Sequence, residues 1–87
     1  MLGYNSWIFP LTKLCILTAK KLEAVLFYLG FKKIRQKGSH VFYRHSDGRR
    51  TTIPHHKGKT LARSLLRAIL REINIELERF NEILKKV

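Results

Sequence analysis

Lys37-Gly38-Ser39-His40 sets an imidazole directly after a glycine-serine turn, in a stretch crowded with basic residues. RNA carries its own nucleophile, the ribose 2′-OH. Breaking its backbone by that route needs a base for the 2′ proton, an acid for the leaving 5′-oxygen, and positive charge beside the phosphorus. Histidine titrates near neutrality and can take either proton-transfer role. Lys37, Arg49 and Lys57 lie near His40 in sequence and can supply the charge. Gly38 permits close approach of a phosphate, and the N–H groups of Gly38 and Ser39 can form an anion nest. The competing reading of His40 is a strand-start histidine hydrogen-bonded to its turn.

The other candidates are weighed the same way. Phe42 and Tyr43 can each stack on a base; alternation sends one of them into the core, and Phe42 is the better stacking candidate. Arg44, Arg49, Arg50, Lys57 and Lys59 can contact phosphates. His55 or His56 is a second acid/base residue or a phosphate contact, unless it only adds polarity to the surface. Three histidines (His45 on a strand, His55 and His56 in an adjoining loop) raise the question of a metal. With Cys15 the single cysteine and Asp47 the one nearby carboxylate, no metal site is expected. There is no carboxylate pair for metal-assisted phosphodiester cleavage, no P-loop and no Ser-His-Asp order. An enzyme built from these residues works without a metal or a small-molecule cofactor.

The chain has 87 residues and a formal net charge of +12. That length suits one domain, and the charge suits a polyanionic partner, with nucleic acid ahead of an anionic membrane surface. Lys and Arg crowd the span from Lys32 to Arg71, where Asp47 is the only acid. No apolar run reaches a membrane span of ~18 residues, and a lone cysteine agrees with a reducing cytoplasm. Residues 1–17 are apolar and lack the features of a signal peptide. They are read as an N-terminal extension of unknown role.

The elements that must position these groups follow from pattern. Thr18 is an N-cap for a helix over 19–29, whose stripe is Leu22, Val25, Leu26 and Leu29. Gly30 ends it as a left-handed residue. Strands are expected over 31–37, 40–45 and 49–54, the first with a bulge because Phe31 and Ile34 break alternation. Ser46-Asp47-Gly48 turns the second into the third. A helix over 62–73 carries Leu65, Leu66, Ile69, Leu70 and Ile73 inward and Arg63, Arg67 and Arg71 in a basic stripe. Asn74 stops it, and a last helix over 76–86 follows. The fold class is α+β, in the order α-β-β-β-α, with a three-stranded antiparallel sheet packed against helices on one face and a short C-terminal helix. The other sheet face is left for binding.

Gly38-Ser39-His40, His45-x-Asp47-Gly48-Arg49, Thr52-Ile53-Pro54-x-His56 and Leu66-Arg67-x-Ile69-Leu70-x-x-Ile73 together resemble the HicA toxins of bacterial and archaeal toxin–antitoxin pairs. The resemblance covers roughly residues 18–75. It implies a double-stranded-RNA-binding-domain-like fold, the toxin role of a type II pair, and metal-independent cleavage of mRNA. It also implies a HicB-type antitoxin that covers the active surface. The family's catalytic histidine maps onto His40, and its strand-3 and loop histidine region onto Pro54 to Lys57. Many relatives have a glycine where Ser64 stands. The expected organisation is an extension over 1–17, an RNA-cleaving domain over 18–75 and a helix over 76–87. The expected RNA-binding set is Lys37, Gly38, Ser39, Phe42, Arg44, Arg49, Arg50, His56, Lys57 and Lys59. Two other readings compete: an RNA-binding module without catalysis, and a subunit whose basic face serves only an acidic protein.

Overall fold

The computed structural model of the protein describes residues 16–87, so the expected extension over 1–17 lies almost wholly outside the described residues. The elements run α1 (Ala19–Tyr28), β1 (Lys32–Lys37), β2 (His40–Arg44), β3 (Arg50–Pro54), α2 (Arg63–Glu72) and α3 (Leu77–Leu84). The strands form one antiparallel sheet in the order β1-β2-β3, the meander expected from the two turns.

Local chemistry sets the boundaries. The Lys21 N–H donates to Thr18 Oγ1 at 3.3 Å, so threonine caps α1 as its side chain predicts. At the other end Phe31 N–H reaches the Leu26 carbonyl and Gly30 N–H the Phe27 carbonyl, with Gly30 at φ +98°. This is a Schellman motif, with Phe31 and Leu26 buried together beneath it. A Cβ on Gly30 would also lie 3.1 Å from His45 Nε2, so both backbone and packing require glycine. Asn74 closes α2 in the same way at φ 57°, with Ile75 N–H donating to the Leu70 carbonyl. Observed ends differ from expectation by one or two residues. Ala62, expected as the first residue of α2, is its N-cap and offers no side-chain cap.

The helices cover one sheet face. Leu22, Val25 and Leu26 of α1, Val41, Tyr43 and Ile53 of the sheet, Leu66 and Ile69 of α2, and Phe80 and Ile83 of α3 form one core. Each is removed from solvent almost completely, and full burial of such a side chain contributes about 1.5–3 kcal/mol. The helix expected over 76–87 therefore packs into the same core as the rest, through Phe80 and Ile83. Thr51 Oγ1 donates to Glu72 Oε1 at 2.7 Å, tying β3 to α2.

Candidate nucleic-acid interface

Register decides which side chains share the uncovered face. Lys37, His40 and Pro54 are cross-strand partners in one row. Arg35, Phe42 and Thr52 form the next row, and Lys32, Arg44 and Arg50 the third. The register shifts between Lys33 and Arg35, which is the bulge that Ile34 foreshadowed. The shift brings Arg35 opposite Phe42, and its guanidinium carbon sits 4.7 Å from the ring centroid. No acidic residue occurs in the three strands. His40 is exposed and Phe42 half-buried, on the face away from the helices.

The turn that presents His40 is held on two sides. The His55 N–H donates to the Ser39 carbonyl at 2.7 Å, and Gln36 Nε2 donates to the Gly38 carbonyl at 3.0 Å. Gly38 has φ +59°, which suits the first central position of a two-residue hairpin loop. A Cβ there would meet nothing within 4 Å, so φ alone demands glycine and the space above it is open.

Arg44, Arg50, Lys37, Phe42 and His40 thus meet on one face, where alternation alone groups His40, Phe42 and Arg44. Lys32 and Arg35 join them; only the register could reveal this, because the bulge reverses the parity of β1. Arg49 takes a different place. Its Nε donates to the Asp47 carboxylate at 2.9 and 3.1 Å, its Nη1 to the Ile73 carbonyl at 2.5 Å, and its guanidinium lies 5.1 Å from the Phe31 centroid. It braces the β2–β3 turn against the end of α2. The Arg49 N–H and guanidinium hold the Asp47 carboxyl below the usual carboxylate range.

His45 is likewise built into the scaffold. Its Nε2 is 3.1 Å from the Leu29 carbonyl, and the Asp47 N–H donates to its Nδ1 at 3.1 Å. Asp47 Oδ1 also lies 3.1 Å from Nδ1, so the ring is held from both its nitrogens. The imidazole meets the Phe31 ring edge-on at 5.1 Å. His56, Lys57 and Lys59 are exposed in the loop after β3. Arg63, Arg67 and Arg71 are exposed on the helical layer rather than on the face that carries His40.

One constellation escaped sequence reasoning. Tyr43, fully buried on the helix side of β2, lies 2.5 Å from Glu23 Oε2 and 2.9 Å from His55 Nε2 through its hydroxyl. The Tyr43 and His55 rings stack with centroids 6.5 Å apart. Burial first, then the bond to Glu23 and its charge, push the Tyr43 hydroxyl far above its usual range. The phenol keeps its single proton and gives it to Glu23, so His55 Nε2 must be the donor to Tyr43 Oη. The three residues are separated by 20 and 12 positions, and no local pattern links them.

Among the described residues, no group of three His, Cys, Asp or Glu side chains could hold a metal ion. No described helix is long and apolar enough to cross a membrane. A family model described as the HicA toxin of bacterial toxin–antitoxin systems matches residues 19–75. Among curated proteins none matches the chain. The family match starts at the first residue of α1 and ends with the motif that closes α2, so it contains the whole sheet and leaves α3 outside.

Proposed function

The chain belongs to the HicA toxin family of bacterial toxin–antitoxin systems, and we propose that it acts as an endoribonuclease that cuts mRNA with His40. The observation that carries this reading is an exposed histidine in a cationic, acid-free row, with Lys37 as its cross-strand partner. In the reaction the ribose 2′-oxygen attacks the adjacent phosphorus and the P–O5′ bond breaks. The products are a 2′,3′-cyclic phosphate and a 5′-hydroxyl. His40 takes the 2′ proton or delivers one to the 5′-oxygen, a role worth about 10²–10⁴ in rate. Lys37 faces the non-bridging oxygens that gain charge in the transition state. The space beside Gly38 is open, so a phosphate can approach the turn and its backbone N–H groups there.

The rest of the face binds the strand. Arg44, Arg50, Lys32 and Arg35 hold neighbouring phosphates, and Phe42, with Arg35 against its ring, offers a surface on which a base stacks. His56, Lys57 and Lys59 extend the contact beyond β3. Residues 18–75 form the cleaving unit, and α3 supports it from the core. An antitoxin partner follows from the family. The proposed partner is a HicB-type protein that lays an acidic or apolar segment over the His40 face.

The chemistry is tested by RNA that lacks the nucleophile. The purified protein is incubated, in chelator, with a single-stranded oligonucleotide and with the same oligonucleotide carrying 2′-deoxyribose at the mapped cut site. Cleavage of the first to cyclic-phosphate ends, and none of the second at that position, is expected. Equal cutting of both would mean that another nucleophile does the work.

A further inference from the structure

Where β3 ends, the chain leaves the sheet beside the first turn of α1. Residues 18–20 and 55–59 enclose a cleft there of about 390 Å³. Its charged lining is basic throughout: Lys20 comes from α1, Lys57 and Lys59 from the loop, and His55 and His56 complete the wall. The Glu23 carboxylate lies 3.9 Å from His55 Nε2 and is engaged by the Tyr43 hydroxyl. The Glu23–Tyr43–His55 chain fixes the His55 ring, and the His55 N–H to Ser39 carbonyl bond fixes its backbone. The loop that carries Lys57 and Lys59 thus starts from a residue anchored at both main chain and side chain.

The cleft is close to His40. Pro54 is the cross-strand partner of His40, and His55 follows it. With strands ~4.8 Å apart and a rise of ~3.3 Å per residue, the mouth of the cleft begins within about 10 Å of His40 along the backbone. That distance is roughly three stacked nucleotides at ~3.4 Å each. Three lysines lining a hollow of this size favour a compact anion.

We propose that this cleft is a second phosphate subsite, which holds a phosphodiester of the same RNA strand a few nucleotides from the bond that is cut, with Lys20 as its residue from the helical layer. This rests on RNA being the ligand of the His40 face. Lys57 and Lys59 supply the remaining charge, and His55 acts as a positioning residue that keeps their loop against α1. Lys20 lies outside the hairpin, and only the closure of the post-β3 loop onto α1 brings it to the site.

The test uses the full chain carrying His40→Ala, so that RNA survives the measurement. Binding of a labelled single-stranded 12-mer and of a dinucleotide is followed across a salt series, with and without Lys20→Gln. Loss of one phosphate contact lowers affinity for the 12-mer about three- to tenfold and reduces the slope of log K against log salt by about 0.7. The dinucleotide, too short to span both places, should be unaffected. Lys85→Gln, on an exposed residue after α3, serves as the control and should change neither. Unchanged 12-mer binding in Lys20→Gln, with Arg50→Gln still weakening it, would overturn the subsite while leaving the His40 reading intact. Competition by inorganic phosphate at Lys20 without any effect on RNA would make it a free-phosphate site and also overturn the proposal. So would loss of antitoxin binding alone.

Discussion

Replacing Tyr43 by phenylalanine removes one oxygen atom from the centre of the molecule and leaves the ring in place. The residue is fully buried, so its apolar contacts persist and no cavity opens. Two hydrogen bonds vanish. The one to the Glu23 carboxylate is charge-assisted and contributes about 1.5–3 kcal/mol, and the one from His55 about 0.5–1.5 kcal/mol. Against this, a buried hydroxyl no longer has to be desolvated, and Glu23, whose side chain is 15% exposed, regains some water. The net expected loss is about 2 kcal/mol, or about 8–16 °C in Tm for a domain of this size. Urea unfolding followed by circular dichroism should show a midpoint lowered by about 1 M at unchanged m. Glu23→Gln and the double variant complete a cycle, with a coupling of about 1 kcal/mol or more expected for residues in direct contact. The pH dependence has a definite sign. The folded state raises the Tyr43 pKa above 10.0, so its contribution is fully present below pH 10 and is lost as pH rises further. The gap between wild type and Tyr43→Phe should narrow in alkali. A midpoint shift near zero, with no coupling to Glu23, would refute the reasoning that this network anchors the loop.

Phe80→Ala should cost about 3–5 kcal/mol, a large part of a domain's usual 5–15 kcal/mol, because α3 fills the common core; calorimetry on the two proteins checks this. Gly30→Ala should destabilise more than Gly38→Ala: both have positive φ, at about 1–2 kcal/mol for a Cβ, but only Gly30 also meets His45 Nε2 at 3.1 Å. Equal losses in denaturant melts would contradict the packing argument. Arg49→Gln should lower stability by about 1–2 kcal/mol with little change in RNA affinity, and Arg50→Gln should do the reverse. Paired melts and filter-binding assays separate the two neighbours.

Local features were readable from the residues themselves. Thr18, Gly30 and Asn74 mark helix ends because their preferences act within a few residues. Gly38-Ser39 and Ser46-Asp47-Gly48 mark the turns for the same reason. The alternation of β2 placed His40, Phe42 and Arg44 together and Val41 and Tyr43 opposite, because strand parity needs no tertiary information. Parity failed in β1, where the bulge at Ile34 moves Arg35 onto the face of Phe42. Alternation holds at Arg49 and Arg50, one on the side of Thr51 and Ile53 and the other opposite, but only the packed fold shows that Arg49 braces α2 while Arg50 faces solvent. Glu23, Tyr43 and His55 meet only because α1 and the end of β3 close on the same sheet face, an event of tertiary packing. Lys20 joins the post-β3 loop by the same closure.

The central claim is that the His40 imidazole, exposed among Lys37, Arg35, Arg44 and Arg50, performs the proton transfer that breaks RNA. Its most direct test is the single-turnover cleavage rate of one oligonucleotide by wild type and by His40→Ala, in chelator, with binding measured alongside. The account predicts a rate lower by about 10²–10⁴ at nearly unchanged affinity. Cleavage by His40→Ala at the wild-type rate would contradict it.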